Sequence, residues 1–336
     1  MSKKILITGG AGFIGSHVVN HFVEKYPDYK IIVLDILTYA ANIKNINTNK
    51  DKYGFFPDNL TVEVNDITNI NEIDEIFEEY QITDVIHLAA ESHVDNSIED
   101  PMTFINTNII GTVNLLNVAK KYWNDNSKEN RFYHISTDEV YGDLELDSTP
   151  FTENTAYDPS SPYSASKATS DHFVRAYGRT YDLNIVISNC SNNYGPHQHN
   201  EKLIPTVINK LINNEKIPVY GTGQNIRDWL WVGDHVKAID EIFHNGKNKQ
   251  TYNIGGDNEI TNLNLIEKIC EEYYKLQNNN DKINKLPIEF VTDRKGHDFR
   301  YAVNSNYLQN NLNWKPTKNI KEGLIETIKY YINKNK

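Results

Sequence analysis

Tyr163 and Lys167 are four residues apart in the segment Tyr163-Ser164-Ala165-Ser166-Lys167. On a helix that spacing puts both side chains on one face. A phenol titrates at about pH 10 and is a weak base at neutral pH, but a neighbouring ammonium favours the phenolate and lowers that value. Such a pair can take a hydroxyl proton while hydride leaves the same carbon. Upstream, HISTDEVYG (134–142) places a hydroxyl, Thr137, beside two adjacent acids, Asp138 and Glu139. Two carboxyls can divide labour, one neutral as acid and one ionised as base, where their surroundings separate their pKa values. Alone, the Tyr-Lys spacing is also that of two exposed helix residues, and Thr-Asp is also a helix cap with solvated acids.

A third pattern is ILITGGAGFIGSH (5–17), where Gly9, Gly12 and Gly15 bracket Phe13 and Ile14. Glycines after a strand and before a helix let the backbone turn tightly and let a pyrophosphate approach the helix amides. Asp35 follows Gly15 by twenty residues, at the end of the next apolar run. An acid there suits ribose hydroxyls and repels a 2′-phosphate, and no Arg stands beside it among Ile36, Leu37 and Thr38, so NAD is expected rather than NADP. Asp66-Ile67 and Leu88-Ala89-Ala90, followed by Ser92, sit just past later strands and are expected to border the same cofactor. Glycines serving helix packing alone are the minor alternative.

These residues need a frame, and the chain supplies one. Apolar runs Lys4–Thr8, Lys30–Asp35, Leu60–Asn65, Thr83–Leu88, Arg131–Ser136 and Asn184–Cys190 alternate with helical stretches 13–26, 103–123 and 163–181. That alternation predicts a parallel sheet covered on both faces. Beyond residue 191, helices (203–214, 235–245, 261–277, 320–334) mix with short runs 217–220, 251–254 and 288–291. The fold expected is α/β: a Rossmann-like doubly wound parallel sheet over 1–190, with a smaller mixed α/β C-terminal substrate lobe over 191–336. NIKNINTNKDK (42–52) and LQNNNDKINK (276–285) read as solvated loops.

Composition narrows the partners. The 336 residues carry 45 acidic and 34 basic side chains, for a net charge of -11. That field repels a phosphate backbone, so nucleic acid is not an expected partner. No window is apolar enough for a membrane span, and the N-terminal run is too short for a signal peptide. Two cysteines, Cys190 and Cys270, suggest a reducing compartment and a cytoplasmic location. His197 and His199 lack an evident third ligand, so no metal is expected.

The motifs STDEVYG (136–142), PYSASKA (162–168), SNNYGP (191–196), EKLIP (201–205), RDWLWVGDH (227–235), YNIGG (252–256) and DRKGHDFRYA (293–302) resemble, in this order, those of the extended short-chain dehydrogenase/reductase family, and within it the nucleotide-sugar 4,6-dehydratases. The resemblance spans nearly the whole chain. It implies NAD as cofactor and dTDP-glucose as substrate. Thr137 would bond the sugar O4, Tyr163 would take its proton, and Lys167 would lower the Tyr163 pKa and hold the nicotinamide ribose. Glu139 would remove the C5 hydrogen, and Asp138 would protonate the leaving C6 hydroxyl. Ser92 and Thr107 would contact sugar and cofactor, Asn192 the substrate, and Asn193 the nicotinamide. Lys202 and Leu203 would open a phosphate-facing helix, and Pro218, Val219 and Tyr220 would frame the base. Arg227 and Arg294 would meet the diphosphate, with Asn262, Asp293, Lys295, Gly296 and His297 as further nucleotide contacts. The resemblance also implies a homodimer through helices including 103–123 and 162–180. Departures are His197-Gln198-His199-Asn200, Gly233 and Lys295, which bear on local loop shape.

Three rivals stand beside that reading. A UDP-glucose 4,6-dehydratase shares the cofactor and the Tyr-Lys pair, and thymine and uracil differ by one methyl, which the sequence does not resolve. A nucleotide-sugar 4-epimerase shares the cofactor and the Tyr-Lys pair, but Asp138-Glu139 argues against it. A non-catalytic NAD-binding protein would be expected to lack some of these groups, and all are present.

Overall fold

The computed structural model describes residues 2–46, 56–123, 129–293 and 296–335. Strands β1 (Lys4–Thr8), β2 (Lys30–Leu34), β3 (Leu60–Glu63), β4 (Asp84–His87), β5 (Arg131–Thr137) and β6 (Ile185–Cys190) form one parallel sheet. Helices α1 (Phe13–Lys25), α2 (Ile70–Tyr80), α3 (Val94–Glu99), α4 (Pro101–Phe104), α5 (Gly111–Tyr122) and α6 (Pro162–Thr180) connect and cover it. Side chains alternate across each strand, so Ile5 and Ile7 enter the core under α1 while Leu6 enters the opposite one, with Phe77, Leu115 and Leu116. Both faces are buried, which is why KILIT and KIIVL read as continuous apolar runs.

The C-terminal part contains β7 (Asn192–Tyr194), α7 (Leu203–Ile212), β8 (Ile217–Tyr220), β9 (Ile226–Trp231), α8 (Val232–Asn245), β10 (Gln250–Ile254), β11 (Glu259–Thr261) and α9 (Asn262–Leu276). It ends with β12 (Ile288–Val291), β13 (Arg300–Tyr301), α10 (Asn306–Leu312) and α11 (Ile320–Lys334). A third core, with Tyr194, Ile208, Trp229 and Ile269, lies beneath α7, α9 and α11.

Several elements depart from the sequence reading. The run 250–254, expected in the second lobe, is the outer strand of the main sheet, whose order is β10-β6-β5-β4-β1-β2-β3. It pairs in parallel with β6, so the main sheet takes its edge strand from beyond residue 190. The helix expected over 103–123 is interrupted: Ile105–Ile110 winds as a π-helix between α4 and α5. Helix α2 was not anticipated, although Ile70, Ile73, Ile76 and Phe77 mark one apolar face. Residues 47–52 of one expected loop lie outside the described residues. Among the described residues no helix is long and apolar enough to cross a membrane.

Helix α8 also returns to the first half of the chain. Its Asp240 receives Tyr26 Oη at 2.7 Å and Lys25 Nζ at 2.5 Å and lies 2.7 Å from His21 Nε2, tying it to α1. Burial alone would raise this carboxyl, but bonds to His21, His244, Lys25 and Tyr26 hold it far below the usual carboxylate range. Stabilisation from such a depressed acid is complete above the unfolded pKa and fades as pH falls toward the folded one. Asp240→Asn should therefore lose on the order of 3 kcal/mol at pH 7, and the gap from the parent should narrow below about pH 4. Urea unfolding across pH 3–7 checks both, and a pH-independent gap would refute the assignment.

Candidate active site

The carboxyl ends of β1, β2, β4, β5 and β6 open on one crevice of ≈ 520 Å³. It lies where strand order reverses about β1, the position at which open α/β sheets bind ligands. Gly9 turns with φ 68°, and a Cβ there would sit 2.7 Å from the Ala89 amide nitrogen. At Gly15 a Cβ would fall 2.0 Å from the Gly9 carbonyl oxygen. Helix α1 starts at Gly12 with no side-chain cap, leaving its first amides available to an anion. Asp35 accepts from the Ala11 amide at 2.9 Å and the Leu37 amide at 2.8 Å, which fixes the acid across the mouth of the glycine turn. A tight turn, uncapped amides and a fixed acid are what a dinucleotide requires.

Further along the crevice, Asp66 accepts from the Thr68 amide and Ile67 packs under Gly111. The loop Leu88–Ser92 is held by Asn108, which accepts from the Glu91 amide at 2.8 Å and donates to the Glu91 carbonyl at 3.0 Å and to Ser166 Oγ at 2.8 Å. Asn108 comes from the π-helix, which also places Thr107 in the crevice. Such irregular helical turns are frequent at functional sites.

Thr137 ends β5 and caps the 3₁₀ turn Asp138–Tyr141. Asp138 is 1% exposed, and its Oδ2 has no hydrogen-bond partner. Burial, reinforced by Glu139 and Asp228, pushes its carboxyl well above the usual range, toward the neutral form. Glu139 is less buried and lines the crevice. Tyr163 and Lys167 project from α6, whose start is fixed by Pro162 and a Ser161–Ser164 capping box.

The expectation that Lys167 lowers the Tyr163 pKa is not met in this structure. Burial first, then Glu139, raise the phenol well above its ordinary value. Lys167 instead donates to the Ile135 carbonyl at 2.9 Å, and burial lowers its own pKa. The phenol's surroundings in this structure thus favour its protonated form.

From the second half of the chain, Asn192, Asn193 and Lys202 line the crevice. Asn192 Oδ1 is buried without a partner, an acceptor open to a ligand donor. Asn193 is oriented by the Ser191 carbonyl and by His235 Nδ1 at 2.8 Å. Lys202 reaches across to the Ser92 carbonyl at 2.9 Å.

Other expected residues lie elsewhere. Leu37 packs into the core, and its amide is spent on Asp35. Leu203 faces the third core. Pro218, Val219 and Tyr220 lie on β8, whose following turn brings Gly221 against Asp293 and Gly223 against Leu263, next to Asn262. His297 Nδ1 lies 2.7 Å from Asp293 Oδ1, and Gly296 turns with φ 62°. These residues form a second cluster outside the crevice lining. Arg294 and Lys295 lie outside the described residues. Arg227 donates to the carbonyls of Ile226, Asp298 and Phe299 and stacks 4.4 Å over Tyr301. Sequence reasoning missed Asn108, Tyr301 and Asp228, whose roles depend on contacts between distant segments. Gln198, His199 and Glu201 also line the crevice, and among the described residues no group of side chains could hold a metal.

A family model described as GDP-mannose 4,6 dehydratase matches residues 6–327. A dTDP-glucose 4,6-dehydratase of Salmonella typhimurium is 48% identical over 98% of this chain and 92% of its own length. The crystal structure of a Bacillus anthracis dTDP-glucose 4,6-dehydratase with NAD is 40% identical, covers 99% of this chain and 97% of its own, and superposes with a TM-score of 0.86. A Thermotoga maritima UDP-glucose 4-epimerase also superposes at 0.86 over 99% of this chain and 100% of its own, but at 28% identity. Backbone shape alone therefore does not separate the two activities.

The crevice makes one requirement testable before any turnover. Gly15→Ala forces its methyl into the Gly9 carbonyl and should weaken NAD binding at least about tenfold, or ~1.4 kcal/mol. Quenching of protein fluorescence by NAD, with circular dichroism as the folding control, measures it. Native affinity in a folded variant would dissociate this turn from the cofactor.

Proposed function

The chain belongs to the dTDP-glucose 4,6-dehydratase family, and we propose that it converts dTDP-glucose to dTDP-4-keto-6-deoxyglucose with the role of each crevice residue as follows. Thr137 holds the sugar O4, and Tyr163 removes its proton once Lys167 and the bound cofactor surround the phenol. Bound NAD supplies the acceptor for the C4 hydride and the source of the hydride delivered to C6. The 4-ketone acidifies the C5 hydrogen, which Glu139 removes. Asp138 gives its proton to O6, so water leaves across C5–C6, and C5 regains a proton as hydride reaches C6. Residues Gly9, Gly12 and Gly15 with Asp35 hold the dinucleotide, and Asn193 and Lys167 flank its reactive end. Asn192 and Lys202 meet the substrate, and the lobe formed mainly by 191–336 takes the nucleotide through the cluster around Tyr220, Asn262 and His297.

The observation that carries this reading is Asp138. Hydroxide is a poor leaving group, and a carboxyl held neutral by burial beside a second acid is what its departure needs. A 4-epimerase needs no such acid. The exposed apolar residues Ile98, Met102, Ile105, Ile110 and Phe173 sit on α3 to α6 and the π-helix, and they support a homodimer through those helices. Two free, buried cysteines suit a cytoplasmic enzyme.

Mass analysis after incubation with dTDP-glucose and UDP-glucose in parallel tests the activity. Loss of one water from dTDP-glucose is expected, and unchanged sugar with both substrates would refute the reading. Asp138→Asn should keep transient reduction of NAD but slow loss of water by ~10²–10⁴-fold. Glu139→Gln should suppress exchange of the C5 hydrogen with solvent. A substrate with a good leaving group at C6 should rescue Asp138→Asn and leave Glu139→Gln impaired. Rescue of both, or of neither, would end this division of roles. Tyr163→Phe should lose hydride transfer and dehydration together.

A further inference from the structure

Lys167 is buried, and its ammonium donates to the Ile135 carbonyl at 2.9 Å. A buried ammonium needs a counter-charge. One turn further along the same face of α6 stands Asp171, itself fully buried.

The hydrogen bonds around Asp171 define its state. Tyr157 Oη receives Arg175 Nη2 at 2.7 Å and Asn189 Nδ2 at 3.0 Å. With both contacts donated to it, the phenol directs its own proton to Asp171 Oδ2, 2.8 Å away. Asp171 Oδ2 is therefore an acceptor. On the other oxygen, His134 Nε2 of β5 lies 3.2 Å from Oδ1. Burial, with Lys167 nearby, drops the imidazole to about 4, so the ring is neutral and lies against the carboxylate, with no hydrogen bond formed between Nε2 and Oδ1. Although burial opposes it, contact with His134 and the charges of Lys167 and Arg175 keep the Asp171 carboxyl below its ordinary range.

We propose that Asp171 is a positioning residue that holds Lys167 in its charged form, and that Tyr157, with His134 packed against the other oxygen, fixes the carboxylate for that purpose. The proposal rests on the role given to Lys167 above and extends it to groups outside the crevice. Other charged or titratable groups also face this pair. From β4, His87 is neutral, with both ring nitrogens engaged by Thr8 and Thr112 at 2.7 and 2.9 Å. From β6, Cys190 has its thiol pushed up to about 12 by burial. Tyr163 and Arg175 lie on α6 itself, Asp138 follows β5, and Tyr141 lies on the side of Tyr157. Arg175 is turned to Tyr157 and Thr251. Among these groups, Asp171 is the ionised acid one turn from Lys167 on the same buried helix face.

The test is the pH profile of single-turnover NAD reduction by dTDP-glucose. Removing the counter-charge lets Lys167 lose its proton at lower pH. Asp171→Asn should therefore move the alkaline limb down by at least about one pH unit, a tenfold loss of rate above it, with the rate recovering at lower pH. Asp171→Glu should restore most of the limb. A merely structural role would lower the rate equally at every pH. An unmoved limb or a uniform loss in folded Asp171→Asn overturns the proposal. If that variant does not fold, Tyr157→Phe decides: the limb should move the same way by a smaller step, and an unmoved limb overturns the proposal. Lys167→Met separates the two levels. Native NAD reduction in that variant would refute the role of Lys167 itself, whereas loss there with an unmoved Asp171→Asn limb would refute only the counter-charge.

Discussion

Contact between two backbones governs the architecture of this site. The loops after β1 and β4 approach until Gly9 faces the Ala89 amide at a distance no Cβ permits, and Gly15 of α1 closes on Gly9 in the same way. That contact lets the uncapped end of α1 open on the crevice and leaves Asp35 free to tie the Ala11 and Leu37 amides together. Small residues in these loops are consequences of the approach. Asn108 extends it, clamping the loop after β4 to the π-helix and to Ser166 of α6, so the helix that carries Tyr163 is positioned against the same loop.

A second constraint acts where the crevice is driest. Burial works on two groups there in opposite chemical senses. It pushes Asp138 toward the neutral acid, and it pulls the Lys167 ammonium toward neutrality. The protein reinforces the first effect with neighbouring carboxyls and resists the second with Asp171. Strand β5 serves both: Asp138 follows its end, while its Ile135 carbonyl accepts from Lys167 and its His134 lies against Asp171. A single strand thus bears on both groups, holding Asp138 at its end and Lys167 at its Ile135 carbonyl.

What was legible in the sequence was local. The strand–glycine–helix–strand–acid series, the Tyr-Lys spacing and Thr137-Asp138-Glu139 each depend on neighbours within a few turns or one strand, and the structure gathers all of them in the crevice. Helix α2 carried a readable apolar face at 70, 73, 76 and 77. Other features were set by distant partners. Strand β10 pairs with β6, some sixty residues earlier in the chain, and α8 before it packs on α1 through Asp240, more than two hundred residues away. The π-helix follows from Asn108 reaching the loop after β4. The protonation of Tyr163 follows from how thoroughly the fold covers it, which spacing along a helix does not encode. Leu37 shows the converse: adjacency to Asp35 suggested the crevice, yet a backbone turn with φ 57° sends its side chain inward.

Arg227 shows how one side chain can fasten distant segments together. A guanidinium has five N–H donors in a rigid fork. Both hydrogens of Nη1 go to the Ile226 and Phe299 carbonyls, and one of Nη2 goes to Asp298, so this residue fastens the segment before β13 to β9. The same segment is held from the catalytic side by Asp143, which accepts from the Phe299 and Arg300 amides. Stacking on Tyr301 fixes the plane of the fork. The rotamer freedom of the arginine is therefore already spent on structural bonds in the folded chain.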